Sequence, residues 1–145
     1  MKRVFIILIV CFGFATVQAQ MDNPLKKGMP NTVTLSNGEV IYDLNGEWDA
    51  HFDDDWLGTG KDIFKITQKG NKFEGILLIG SEYVPKGVVA MKGELERNGF
   101  KSLNRFTGMG WGPATGEISE KCNKIVIKRP LKTLGYTQVL TLTRK

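Results

Sequence analysis

Apolar and polar residues alternate along most of this chain. In "LNGEWDAHFD" (44–53), Leu44, Gly46, Trp48, Ala50 and Phe52 share one face of an extended strand, and Asn45, Glu47, Asp49, His51 and Asp53 share the other. The same period of two returns in stretches separated by glycine, asparagine or acidic turns. It predicts strands over 44–53, 61–69, 72–80, 85–95, 99–107, 113–120, 123–129 and 134–144. No stretch carries a convincing helical period. The segments "KGNK" (69–72), "ERNG" (96–99) and "EKCN" (120–123) are tight connections of the kind that join neighbouring antiparallel strands. Connections this short leave no room for crossover helices, so the sheet is a meander. About eight such strands, with glycines inside them to permit sharp bends, predict an all-β fold closed into an antiparallel up-and-down barrel, because closure removes exposed edges. A two-sheet sandwich is the competing arrangement.

The first residues break this pattern. "MKRVFIILIVCFGFATVQAQ" has Lys2 and Arg3 ahead of an apolar run from Val4 to Val17, then small residues at Val17 and Ala19, the layout of a cleaved secretory leader over 1–19. The run is shorter than the roughly 20 apolar residues a membrane-spanning helix needs. Cys11 lies within the apolar run, without the small residues that precede a lipid-modified cysteine, so a lipoprotein is not expected. Residues 20–43 read as a linker rich in Pro, Lys and Gly, carrying a short hairpin with an Asn-Gly turn in "SNGE" between "TVTL" and "EVIY". The barrel then occupies 44–145. Without the leader the chain has 18 basic and 15 acidic residues, a net charge of +3, and its lysines alternate with apolar residues as on a solvated sheet face. That is no nucleic-acid footprint. Cys122 is then the remaining cysteine, so an exported domain holds itself together without an internal disulfide.

In the last strand, "GYTQVLTLTRK", Tyr136, Gln138, Leu140, Leu142 and Arg144 fall on one face. If Leu140 and Leu142 point inward, Arg144 reaches the inner rim, where Trp48 of the first barrel strand is placed to stack beneath it once the barrel closes. At Gly46 and Trp48 in "NGEW", together with Arg144 in "LTLTRK", the sequence resembles the calycin superfamily, which includes lipocalins and avidins, and in particular small secreted bacterial lipocalin-like domains. The resemblance spans roughly 44–145 and implies an eight-stranded up-and-down barrel carrying a small hydrophobic molecule. It also has departures: no candidate for a helix packed on the barrel, no disulfide, and too few tryptophans to wall in biotin.

Candidate chemistry is sparse. Asp49, His51 and Asp53 point the same way and could together hold a divalent cation, but a zinc site normally recruits more His or Cys, and His51 is the chain's one histidine. "DDDW" (53–56) lacks the alternating oxygen donors of a calcium loop and reads as an acidic strand end. Cys122 has no histidine near it in sequence for nucleophilic catalysis. Glu74, Glu82, Glu94, Glu96, Glu117 and Glu120 read as surface charge. The glycine pair in "WLGTGKD" (56–62) is followed by no helix, which removes a phosphate cradle. No metal, cofactor, nucleic acid or membrane span is expected.

The least ordinary stretch is "FTGMGWGPATG" (106–116), a glycine-rich loop with large apolar side chains that reads either as a mouth over the barrel or as a structural turn. Parity places Phe64, Ile66, Phe73, Leu77, Val89, Met91, Leu95, Phe106, Leu140 and Leu142 inside, with room left where Gly75 and Gly93 face in. The expectation is therefore an extracytoplasmic, non-enzymatic lipocalin-like barrel that reversibly binds a small hydrophobic or amphipathic molecule. Trp56, Met91, Phe106, Trp111 and Tyr136 are expected to line the pocket, and Gly46, Trp48 and Arg144 to close the barrel. The alternative is a filled barrel acting as a surface or assembly module. An enzyme would need two titratable groups converging inside, which this inward set does not supply.

Overall fold

A computed structural model describes residues 25–54, 58–96, 99–105 and 110–145. The leader expected over 1–19, Trp56 and Phe106 lie outside the described residues. Ten strands follow in order: β1 (Thr32–Thr34), β2 (Val40–Tyr42), β3 (Gly46–Asp54), β4 (Gly58–Lys69), β5 (Lys72–Leu77), β6 (Val89–Glu96), β7 (Gly99–Asn104), β8 (Gly112–Ile118), β9 (Lys124–Leu131) and β10 (Tyr136–Arg144). A single 3₁₀ turn, Lys132–Leu134, joins the last two. Strands β3 to β10 form a closed antiparallel up-and-down barrel, each pairing with its neighbour in sequence and β10 returning to β3. The closing register sets Arg144 opposite Trp48, Leu142 opposite Ala50 and Leu140 opposite Phe52.

Alternation explains the core. Trp48, Phe64, Ile66, Phe73, Leu95, Phe100, Ile125, Ile127, Leu140 and Leu142 are buried on the inner faces, while the residues between them are mostly exposed. His51 is exposed on the outer face of β3, as its parity requires. The inward glycines do not leave space. A methyl on Gly75 would stand 2.9 Å from the Phe64 ring, on Gly93 2.7 Å from Phe73, and on Gly116 as near as 2.1 Å to Phe100. Each missing side chain is thus a notch occupied by a neighbouring strand's aromatic ring, and Phe73 meets Phe100 edge-on at 4.7 Å. The room expected at Gly75 and Gly93 is filled for this reason.

Two strand ends also differ from the sequence pattern. The expected strands 72–80 and 85–95 leave a four-residue link, whereas residues 78–88 form a longer loop between β5 and β6. Asp62, which points inward on β4, draws this loop in: its carboxylate accepts hydrogen bonds from the amides of Ile63 (2.6 Å), Ile79 (3.1 Å) and Gly80 (2.9 Å). Where β6 starts, the register shifts, with Gly75 opposite Met91 and Ile76 opposite Val89, so Ala90 is an extra residue. The bulge turns Val89 outward, although period-two counting from Met91 puts it inside.

One end of the barrel is plugged. Gln68 ties the β2–β3 link down through its side chain, which accepts from the Leu44 amide (2.7 Å) and donates to the carbonyls of Tyr42 (3.0 Å) and Gly70 (2.9 Å). Strands β1 and β2 pair with each other, and Ile41 and Tyr42 join the core with Leu25, Val33 and Leu35 packed against it. We call this the lower end. The loop 78–88 and the turn at 132–135 mark the upper end.

Candidate functional site

A guanidinium stands at each end of the barrel, and their surroundings differ. At the lower end Arg144 lies 4.3 Å from the centroid of the Trp48 ring. Its Nε donates to the Cys122 carbonyl (2.9 Å), Nη1 to the Asn45 carbonyl (3.0 Å), and Nη2 to the Asp43 carbonyl and to the Cys122 sulfur (3.4 Å). Trp48 Nε1 in turn donates to the Leu44 carbonyl at 2.9 Å. Gly46, with φ of 126°, starts β3 in a backbone region that side chains rarely adopt, 3.7 Å from Arg144 Nη1 at its nearest built methyl position. Gly46, Trp48 and Arg144 therefore meet in one place. The cation bridges three chain segments and every nitrogen has an acceptor.

At the upper end Arg129 points inward from β9, in line with Ile125 and Ile127, and is 3% exposed. Its Nη2 donates to the Gly110 carbonyl at 2.8 Å. Nε and Nη1 have no partner. Those two nitrogens carry three of the five N–H bonds of a guanidinium. Among the described residues no carboxylate lies within 4.0 Å of it; the described ion pairs, Lys101–Glu96, Lys128–Glu117 and Lys145–Glu47, are all on the surface. On the same inner wall, β7 carries Asn104, in register with Gly112, with no exposed surface and neither side-chain atom bonded, and Ser102, whose buried hydroxyl is likewise unbonded. Gln138 is opposite Arg129 on β10 and is buried too. The guanidinium lies over Gly112, where a methyl would stand 2.8 Å from Nε and Nη2. The glycine notch that takes an aromatic ring lower down takes a cation here.

Burial pushes the Arg129 guanidinium below its ordinary pKa, and Tyr136 nearby pulls it back. Arginine remains charged under these conditions. An uncompensated buried charge costs several kcal/mol, and each buried polar atom left unbonded costs about 1–3 kcal/mol. The cluster therefore concentrates unused hydrogen-bonding capacity, most of it donors, on one part of the inner wall.

The expected pocket residues separate. Met91 is fully buried on the inner wall, opposite Asn104, and Tyr136 is half-buried near Arg129. Trp111 is on the outer surface, 40% exposed, with Lys92 Nζ 4.9 Å and Arg105 Cζ 5.6 Å from its ring. It leaves the interior because Gly112 takes the inward position and parity turns its neighbour out. Sequence reasoning missed Arg129, Asn104 and Ser102. Their signal was present: in "KIVIKRPL" the alternation Ile125, Ile127, Arg129, Leu131 continues through the charge, and in "FKSLN" Phe100, Ser102 and Asn104 share a face. The inward set is thus not purely apolar.

Outside the wall, a groove of about 870 Å³ runs across β5 to β10. Leu103, Pro113, Pro130 and Thr137 line it, and Lys72, Lys92, Lys101 and Lys128 fringe it together with Glu74 and Glu94. Among the described residues no group of three His, Cys, Asp or Glu side chains is placed to hold a metal ion. The closed eight-stranded barrel is consistent with a lipocalin-like or calycin-like fold. A scan against models of known families finds no match, and no curated protein matches the chain.

Proposed function

We propose that this is an exported, lipocalin-like carrier that reversibly binds a small amphipathic molecule at the upper end of its barrel. The observation that carries this reading is the interior's division. The lower half is apolar, packed and plugged, whereas the upper half holds buried polar side chains whose hydrogen-bonding capacity the chain leaves unused. Such groups persist where they serve specificity rather than stability. The interior is collapsed around them, so a ligand has to displace side chains, and Met91 is the adaptable one on that wall. Native mass spectrometry of protein purified from its host, before and after organic extraction, tests the proposal. A small copurifying mass that extraction removes and that quenches tryptophan emission supports it. A protein without such a mass that also takes up no added octan-1-ol refutes it.

The outer groove favours a second reading, a barrel with a filled interior that acts through its surface. Aromatic rings in the notches at Gly75, Gly93 and Gly116 agree with that. On this reading octan-1-ol does not bind inside, and substitution of Leu103 at the groove, but not of Arg129, changes association with other molecules.

A further inference from the structure

We propose that the ligand's polar end is a single carboxylate, held by the Arg129 guanidinium through its unbonded Nη1, with Asn104 and Ser102 on the same inner wall as further donors. This rests on the carrier reading above and adds the chemical class of the cargo. Three observations lead to it. The unused donors on Arg129 belong to a fixed cation, so the missing partner is an acceptor, and one of opposite charge gains most from a buried guanidinium. A cationic ligand fails here, because it would meet the like charge of Arg129, and the inward carboxylate that is described, Asp62, is already engaged by three amides. A doubly charged head group fails as well: Arg129 is the one buried cation among the described residues, and a second negative charge inside would be left without a counter-ion.

The flanking groups agree with this assignment. The Asn104 amide and Ser102 hydroxyl can each donate to a carboxylate oxygen not engaged by the guanidinium, and both are unbonded. Met91 and the half-buried Phe52 and Tyr136 stand on inner faces of the same barrel and give the apolar body of an organic acid a surface to lie on. The lower half is full, so the body is short. The Gly110 carbonyl, which accepts from Nη2, leaves Nη1 available and holds the guanidinium in place over Gly112.

The test uses three probes of equal chain length, octanoate, octan-1-ol and octylamine, titrated calorimetrically at neutral pH into extracted wild-type protein and two variants. Octanoate binds wild type at least about 10-fold more tightly than octan-1-ol, and octylamine binds most weakly. Arg129→Gln removes the preference, bringing octanoate to within about 2-fold of octan-1-ol measured in the same variant. Gly112→Ala keeps the charge but forces the guanidinium off its position, and it narrows the ratio of octanoate to octan-1-ol affinity. Octanoate binding also fades below about pH 5 as its carboxyl group protonates, while octan-1-ol binding does not. If octan-1-ol and octanoate bind wild type equally, or if the preference survives Arg129→Gln, the carboxylate assignment is overturned and the carrier stands. If none of the three binds, the carrier reading falls and takes this assignment with it.

Discussion

Replacing Arg129 with methionine is expected to stabilise the ligand-free protein. Methionine matches most of the side chain's volume and fills irregular space without polar atoms. The losses are one charge-assisted hydrogen bond, from Nη2 to the Gly110 carbonyl at 2.8 Å, worth about 1.5–3 kcal/mol, and the electrostatic contribution of Tyr136. The gain is release from burying a cation at 3% exposure with two nitrogens unbonded, a penalty of several kcal/mol. The balance is a stabilisation of about 1–3 kcal/mol, in the range found when buried charges give way to apolar residues of similar size. Urea unfolding followed by tryptophan emission measures it, since Trp48 is fully buried and reports loss of the core. A parallel rise in Tm of roughly 3–5 °C per kcal/mol is expected for a domain of this size. A loss of about 1 kcal/mol or more in Arg129→Met would refute the reasoning, because it would mean the guanidinium is satisfied in the folded protein.

The second guanidinium predicts the reverse. Arg144→Met leaves the carbonyls of Cys122, Asn45 and Asp43 without their donor and removes the stacking on Trp48, so unfolding free energy drops by about 2–4 kcal/mol in the same assay; a change under about 0.5 kcal/mol contradicts this account. Gly116→Ala places a methyl 2.1–2.5 Å from three Phe100 ring atoms and costs roughly 1–3 kcal/mol, measured by thermal unfolding against Phe100→Leu,Gly116→Ala, in which the smaller side chain recovers part of the loss. Cys122 is buried, its pKa raised by that burial against the opposing pull of Arg144, and Tyr42 is raised above its ordinary value by burial, Cys122 and Glu120. Both groups favour the folded state while protonated. Their contribution is complete below the ordinary thiol value of 9.0 and is lost as pH rises through the raised folded values. Urea midpoints therefore fall above pH 9, and a midpoint unchanged to strongly alkaline pH speaks against the burial. At neutral pH the thiol stays inert to a disulfide reagent until urea unfolds the chain.

Period-two alternation made most of the architecture legible, because a barrel strand with one buried face has to obey it. It located the eight barrel strands, the outward course of His51 and the meeting of Trp48 with Arg144. It failed where a non-local contact overrode the local pattern. Asp62 gathers the amides of Ile79 and Gly80, and this keeps residues 78–80 from extending β5. The extra residue at Ala90 flips parity for Val89. Glycine was also misread: on one strand it looks like empty space, and only the pairing register shows that Phe64, Phe73 or Phe100 covers it. The candidate site was hidden by habit of chemistry rather than by lack of signal. Arg129 follows Lys128 and reads as surface charge, yet the strand's own alternation sends Lys128 out and Arg129 in.

The closing seam also governs how the chain must assemble. Seven of the barrel's pairings join consecutive strands and can form as local hairpins, but β3 against β10 brings residues 48 and 144 together across nearly the whole fold. Until that distant pairing is made, two sheet margins are exposed and able to recruit strands from other molecules. The pairing that removes this hazard is the one of greatest sequence separation, so a lesion at the seam weakens the contact that shields both margins at once.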